Sequence, residues 1–105
     1  MKVDKNIKPR KYNKNEFIKY LKKINVSNDV IKLFTQLPNQ VTYKNDTYDL
    51  FIYKVWYNKH ETYHSFELNY YSSDLNEFLV PYKNFYDIKI SVSYLFFKLK
   101  DLDIL

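Results

Sequence analysis

The sequence predicts an α+β fold: an N-terminal helical hairpin, a three-stranded antiparallel β-meander, and a C-terminal helix packed on the sheet. Three observations carry this. Apolar residues recur at helical spacing over residues 17–37 and again over 85–102. Residues 40–72, between them, are rich in β-branched and aromatic side chains with a period near two. At 105 residues, with no internal repeat and no dividing linker, the chain suits one domain around one core.

Residues 1–12 are polar, basic and aperiodic and contain Pro9, so they read as a flexible basic arm, leaving 13–105 as the folded domain. Asn13 is the expected N-cap of a first helix over about 14–24, and Glu16 completes a capping box. Phe17, Leu21 and Ile24 form its apolar stripe, with Tyr20 beside them. Ser27 is the expected N-cap of the second helix, whose apolar face is Val30, Ile31, Phe34 and Leu37. Pro38 disfavours helical geometry at Leu37 and stops it there.

Gln40 to Lys44 then reads as a short strand, Asn45-Asp46 as a turn, and Thr47 to Tyr57 as a central strand with two largely apolar faces. Asn58 to Glu61 turns again. Thr62 to Tyr71 alternates, with His64, Phe66, Leu68 and Tyr70 on one face and Tyr63, Ser65, Glu67, Asn69 and Tyr71 on the other. Ser73 is placed as the cap of a short helix through Leu79, ended by Pro81. Asn84 with Asp87 resembles a further helix start. Ile88, Val92, Leu95, Phe96, Leu99 and Leu102 continue as a helical stripe. Ile88 to Phe96 also alternates, but the length of the pattern favours a helix.

Composition removes several function classes. Without Cys there is no disulfide framework and no thiolate metal site, and the expected location is cytoplasmic. No apolar run follows the basic N-terminal residues, so no signal peptide is expected, and no uncharged stretch approaches a bilayer span. Without Gly, neither a P-loop nor a dinucleotide fingerprint can be built, and no cofactor is expected. Turns must use Asn and Asp, the residues next most tolerant of positive φ. Lys, Asn, Tyr, Ile and Phe dominate, and Gly and Ala are absent. That balance fits A/T-rich coding, as in a low-GC bacterium or its phages and mobile elements. Most of the 12 Tyr, 8 Phe and 1 Trp are therefore expected to fill the core.

His60-Glu61-Thr62-Tyr63-His64 matches the H-E-x-x-H pattern of zinc metalloproteases, which places both His on one face of a helix. Here the pattern sits between a turn and a strand. Extended, the two His stand about 13 Å apart, too far for one zinc ion. A zinc hydrolase is thus the outlying reading, and neither a metal site nor an enzyme is expected.

Charge carries the strongest functional signal. Residues 1–23 hold nine cations, Lys2, Lys5, Lys8, Arg10, Lys11, Lys14, Lys19, Lys22 and Lys23, against Asp4 and Glu16. The other 82 residues hold eight Lys against ten acids. Codon bias raises Lys everywhere and does not explain this concentration. The expected partner is nucleic acid, held by backbone phosphates with little sequence readout, as in an accessory protein of phage or mobile-element replication or regulation. The alternative is a protein-binding module, such as a phage inhibitor of a host enzyme or a small subunit of a larger complex. Its contact would be an exposed sheet face carrying Trp56, Tyr63 and Tyr71, which also suits base stacking. No membrane partner is expected. A homodimer through the sheet face or edge is compatible with the pattern.

Overall fold

The three strands of the expected meander are present, and among the described residues two short strands extend them into a five-stranded antiparallel sheet. The computed structural model describes residues 10–56 and 64–105. In chain order the elements are β1 Arg10–Tyr12, α1 Lys14–Lys23, α2 Asn28–Thr35, β2 Gln40–Tyr43, β3 Asp46–Trp56, β4 His64–Ser72, β5 Glu77–Phe78 and α3 Ile88–Asp101. The fold is α+β with a C-terminal helix, as the sequence predicts. No helix among the described residues is long and apolar enough to cross a membrane.

β3 is central. β4 pairs along one side of it, from Asp49↔Tyr71 to Trp56↔His64. The other side is shared by two collinear strands: β2 pairs with Asp46–Asp49, and β1 pairs with Ile52–Lys54. The helical hairpin is thus inserted between two pieces of one edge strand. The basic arm expected over 1–12 therefore does not run to residue 12. Arg10–Tyr12 belongs to the sheet, because Tyr12 pairs opposite Ile52 and is buried against the rings of Phe17 and Tyr20.

Local signals set the helix boundaries. The Asn13 side chain accepts from Glu16 N at 2.8 Å, and the Glu16 carboxylate accepts from Asn13 N at 3.2 Å, closing the capping box. Ser27 caps α2 through Val30 N, and Asp87 caps α3 through Ile90 N, so α3 starts from Asp87. α1 and α3 both end in the same hydrogen-bonded turn. Val26 N donates to Leu21 O and Asn25 N to Lys22 O; Ile104 N donates to Leu99 O and Asp103 N to Lys100 O. The left-handed residue this turn requires is Asn25 (φ 61°) in one case and Asp103 (φ 59°) in the other. Asn and Asp do take over from glycine.

Two expectations are corrected. The β2–β3 turn lies one residue earlier than placed: Lys44 (φ 50°) and Asn45 (φ 69°) are its centre, and Asp46 already pairs with Tyr43. Two successive positive φ values match the right-handed twist of the strands they join. Residues 73–79 do not form a helix. Leu75 N bonds to Ser72 Oγ, Asn76 is left-handed at φ 52°, and Glu77–Phe78 adds the β5 strand to β4. A segment this short gains little as a helix. As a strand it lays Phe78 against the rings of Tyr71 (5.0 Å) and Phe51 (5.1 Å).

The core lies between one sheet face and the three helices. Tyr48, Ile52, Phe66, Leu68 and Tyr70 meet Phe17, Leu21, Phe34, Val92, Leu95 and Leu99. Lys54 is on the same face and is fully buried, its Nζ 3.4 Å from the centroid of the Tyr20 ring. Its stem packs as an apolar chain and its cation faces a π-system. Tyr70 O–H donates to Pro38 O at 2.6 Å, tying the sheet to the end of the α2 segment, and burial pushes its phenol pKa up. Past β5 the chain leaves the ladder and rejoins it where Phe85 and Phe66 exchange backbone hydrogen bonds. Asn69, buried on the far sheet face, bridges the gap by bonding both Val80 N and Val80 O.

Candidate nucleic-acid and partner-binding surfaces

The cations of the N-terminal region have different fates. Lys2, Lys5 and Lys8 lie outside the described residues. Lys19, Lys22 and Lys23 are exposed within about 100° of arc on α1, opposite the buried Phe17 and Leu21. Among the described residues none of the three makes a hydrogen bond or an ion pair. Lys22 and Lys23 also complement the negative end of the helix dipole.

Lys14 is different. Its ammonium donates to Thr35 O at 2.8 Å and to Leu37 O, holding the last carbonyl of α2 and one just past its end against the first turn of α1. Partial burial lowers its pKa. It is a structural clamp between two helices and is engaged before any phosphate arrives. Lys11 lies on the other side of the sheet. It alternates with the buried Tyr12, so its exposed side chain lies on the face away from the helices, with Nζ 5.4 Å from the Phe51 ring centroid. Arg10 pairs with Lys54 at the start of β1.

The aromatic face expected from Trp56, Tyr63 and Tyr71 is assembled differently. Trp56 pairs with His64 at a register position of the same parity as Ile52 and Lys54, whereas Tyr71 pairs with Asp49 and has the opposite parity. Tyr63 lies outside the described residues. The rings gathered around Tyr71 are instead Phe51, Tyr53 and Phe78, all half-buried: Phe51 is 5.6 Å from Tyr53 and 5.1 Å from Phe78, and Phe78 is 5.0 Å from Tyr71. The phenol of Tyr71 is hydrogen-bonded to Asn76 Oδ1. Strand parity is the signal that finds this group, once β5 is known to bring Phe78 alongside.

Glu67 belongs to the same sheet face. It pairs with Tyr53, with Lys11 next in the row on β1, and it is only 4 % exposed. Its Oε1 has no hydrogen-bond partner among the described residues, and burial raises its pKa from 4.5 to about 7. The H-E-x-x-H segment falls mostly outside the described residues. His64 itself opens the extended strand β4. Among the described residues no three His, Cys, Asp or Glu side chains cluster as metal ligands.

Compared with known proteins, the chain matches no protein family, no curated protein and no solved structure.

Proposed function

We propose that this chain is a non-enzymatic nucleic-acid-binding protein that holds phosphates through its Lys-rich N-terminal region. One observation carries the reading: Lys19, Lys22 and Lys23 are exposed together on α1 with no acid paired to them among the described residues. Lysines free in this way can displace counterions condensed on a phosphate backbone. They continue the positive stretch that holds Lys2, Lys5, Lys8 and Arg10. Lys14 is left out of the contact set because two carbonyls already hold it. Point-charge ammonium groups recognise phosphate without reading bases, so binding is expected to be weakly sequence-specific.

The test is a salt titration. Labelled duplex and single-stranded oligonucleotides are bound to the full chain and to the triple variant Lys19→Gln, Lys22→Gln, Lys23→Gln. On duplex DNA the log–log salt slope of the variant should be shallower by about 3, from three lost phosphate contacts at about 0.9 each. Equal slopes, or no binding at about 50 mM salt, would refute the proposal.

A second reading, a protein-binding module, is favoured by the half-buried ring group of Phe51, Tyr53, Tyr71 and Phe78 on the sheet face away from the helices. Such groups anchor protein interfaces. In co-purification from the native host, Tyr71→Ala should release a stoichiometric partner. A partner retained by that variant rules out this face as the contact.

A further inference from the structure

α3 has two apolar faces, and the fold uses one. Ile88, Val92, Leu95 and Leu99 are buried against the sheet and α2. On the opposite side Ile90 is 53 % exposed and Phe97 is 62 % exposed. With Phe85 and Tyr94 they line a groove of about 630 Å³ between α3 and the chain segment that leads into it. The remaining lining is Ser93 and two lysines, Lys83 and Lys89, with no acid. Lys83 Nζ stands 5.5 Å from the Phe85 ring centroid and 5.6 Å from that of Tyr94, and Lys98 Nζ is 5.6 Å from Tyr94. The result is an apolar trough rimmed by ammonium groups.

We propose that this groove docks a short acidic segment of a partner protein, with one or two apolar anchors seated between Ile90 and Phe97 and carboxylates meeting Lys83, Lys89 and Lys98. The charge of the rim selects the occupant. A second copy of this chain packing the same face would bring each lysine rim against another lysine rim, and that repulsion opposes a symmetric pair. Single-stranded nucleic acid would stack bases on ring faces, but lysines already lie over those of Phe85 and Tyr94. Carboxylates satisfy these lysines where they stand, and aliphatic or aromatic anchors cover the rings and Ile90. Ile90 and Phe97 are seven residues apart, about 10 Å along the helix, which fits two turns of a partner helix or a few extended residues. The groove lies on α3, and α2 packs between α3 and α1. This site is therefore separate from the α1 lysines of the proposed phosphate contact.

The probe is a labelled twelve-residue peptide carrying Leu and Phe seven positions apart among Glu residues, with a Gln-for-Glu counterpart. Binding to the full chain is followed by fluorescence anisotropy. The variants are Phe97→Ser and the pair Lys83→Glu, Lys89→Glu, all at exposed positions, with circular dichroism to verify that they fold. The acidic peptide should bind. Binding should weaken at least about tenfold with either variant and with the Gln peptide, and it should be unchanged by the α1 triple lysine variant. Equal binding of the two peptides, or none up to about 1 mM, would overturn the proposal. So would an oligothymidylate, an anionic phosphatidylserine vesicle, or self-association that occupies the chain in its place and is abolished by Phe97→Ser. Because the α1 variant is measured in parallel, failure at the groove and failure of the phosphate contact give different patterns.

Discussion

Phe17→Ala is expected to cost about 4 kcal/mol and to remove a large part of the chain's stability at room temperature. Phe17 is fully buried, and its ring meets Tyr12 at 5.4 Å, Phe34 at 5.2 Å, Phe66 at 5.8 Å and Tyr20 at 5.9 Å. Those partners come from β1, α2, β4 and α1, so one side chain joins both helices of the hairpin to two strands of the sheet. Truncating a buried Phe loses its transfer free energy and leaves a cavity, typically 3–5 kcal/mol together at about this order. A domain of this size has on the order of 5–15 kcal/mol to lose. Urea unfolding should show a much lower midpoint with an unchanged slope. Phe97→Ala, at a position 62 % exposed, is the control and should shift stability by less than about 0.5 kcal/mol. Equal shifts for the two variants would mean that the core is not centred on Phe17.

What could be read from the sequence here depended on how far apart the interacting residues lie. Asn13 with Glu16, Ser27 with Val30, and Asp87 with Ile90 are contacts three residues apart, and each helix start follows from them. The alternation of β3 and β4 is equally local. β1 was not visible as a strand because three residues carry no period, and Tyr12 becomes structural only on meeting Ile52, forty positions on. β5 is hidden for the same reason: Ser73 has the form of a helix cap, and the strand emerges only where Asn76 turns left-handed and Phe78 reaches Tyr71 and Phe51.

The functional surface shows the same division. The local excess of lysine is a property of the chain, but which lysines remain available is a property of the fold. Lys14 meets the carbonyls of residues 35 and 37 only because α1 and α2 pack together, and Lys11 is separated from Lys19, Lys22 and Lys23 by the sheet because β1 pairs with β3. Trp56 and Tyr71 were expected to share a face, and their register positions have opposite parity. The groove on α3 was obscured because one apolar stripe is enough to predict a helix. Ile90 and Phe97 form a second stripe seven residues apart, and only burial separates the packed stripe from the open one.

Glu67 should make stability fall between pH 4.5 and pH 8, by about 3 kcal/mol from this one group. The residue is 4 % exposed, its buried Oε1 has no hydrogen-bond partner among the described residues, and burial raises its pKa to about 7. Lys54, one register position away, is on the opposite face of the sheet beside Tyr20, and Lys11, on the same face, is two strands away in the row with its exposed ammonium over the Phe51 ring. Below pH 4.5 both the folded and the unfolded chain carry a protonated Glu67, and its contribution to stability is fully present. Between 4.5 and 7 the unfolded chain releases the proton while the folded chain retains it, so stability declines as pH rises. Above 7 the folded chain must hold a buried carboxylate and the loss is complete. The span from 4.5 to about 7 corresponds to about 3 kcal/mol at about 1.4 kcal/mol per pH unit. Other titrating groups cancel when wild type is compared with Glu67→Gln and Glu67→Met across the same pH series. Both variants should gain on the wild type as pH rises from 4.5 to 8, with melting temperatures moving on the order of 10 °C in their favour. Met removes the buried polar atoms that Gln retains, so agreement between the two variants isolates the charge. Parallel stability–pH curves for wild type and both variants would mean that Glu67 ionises in the folded protein as freely as it does in the unfolded chain.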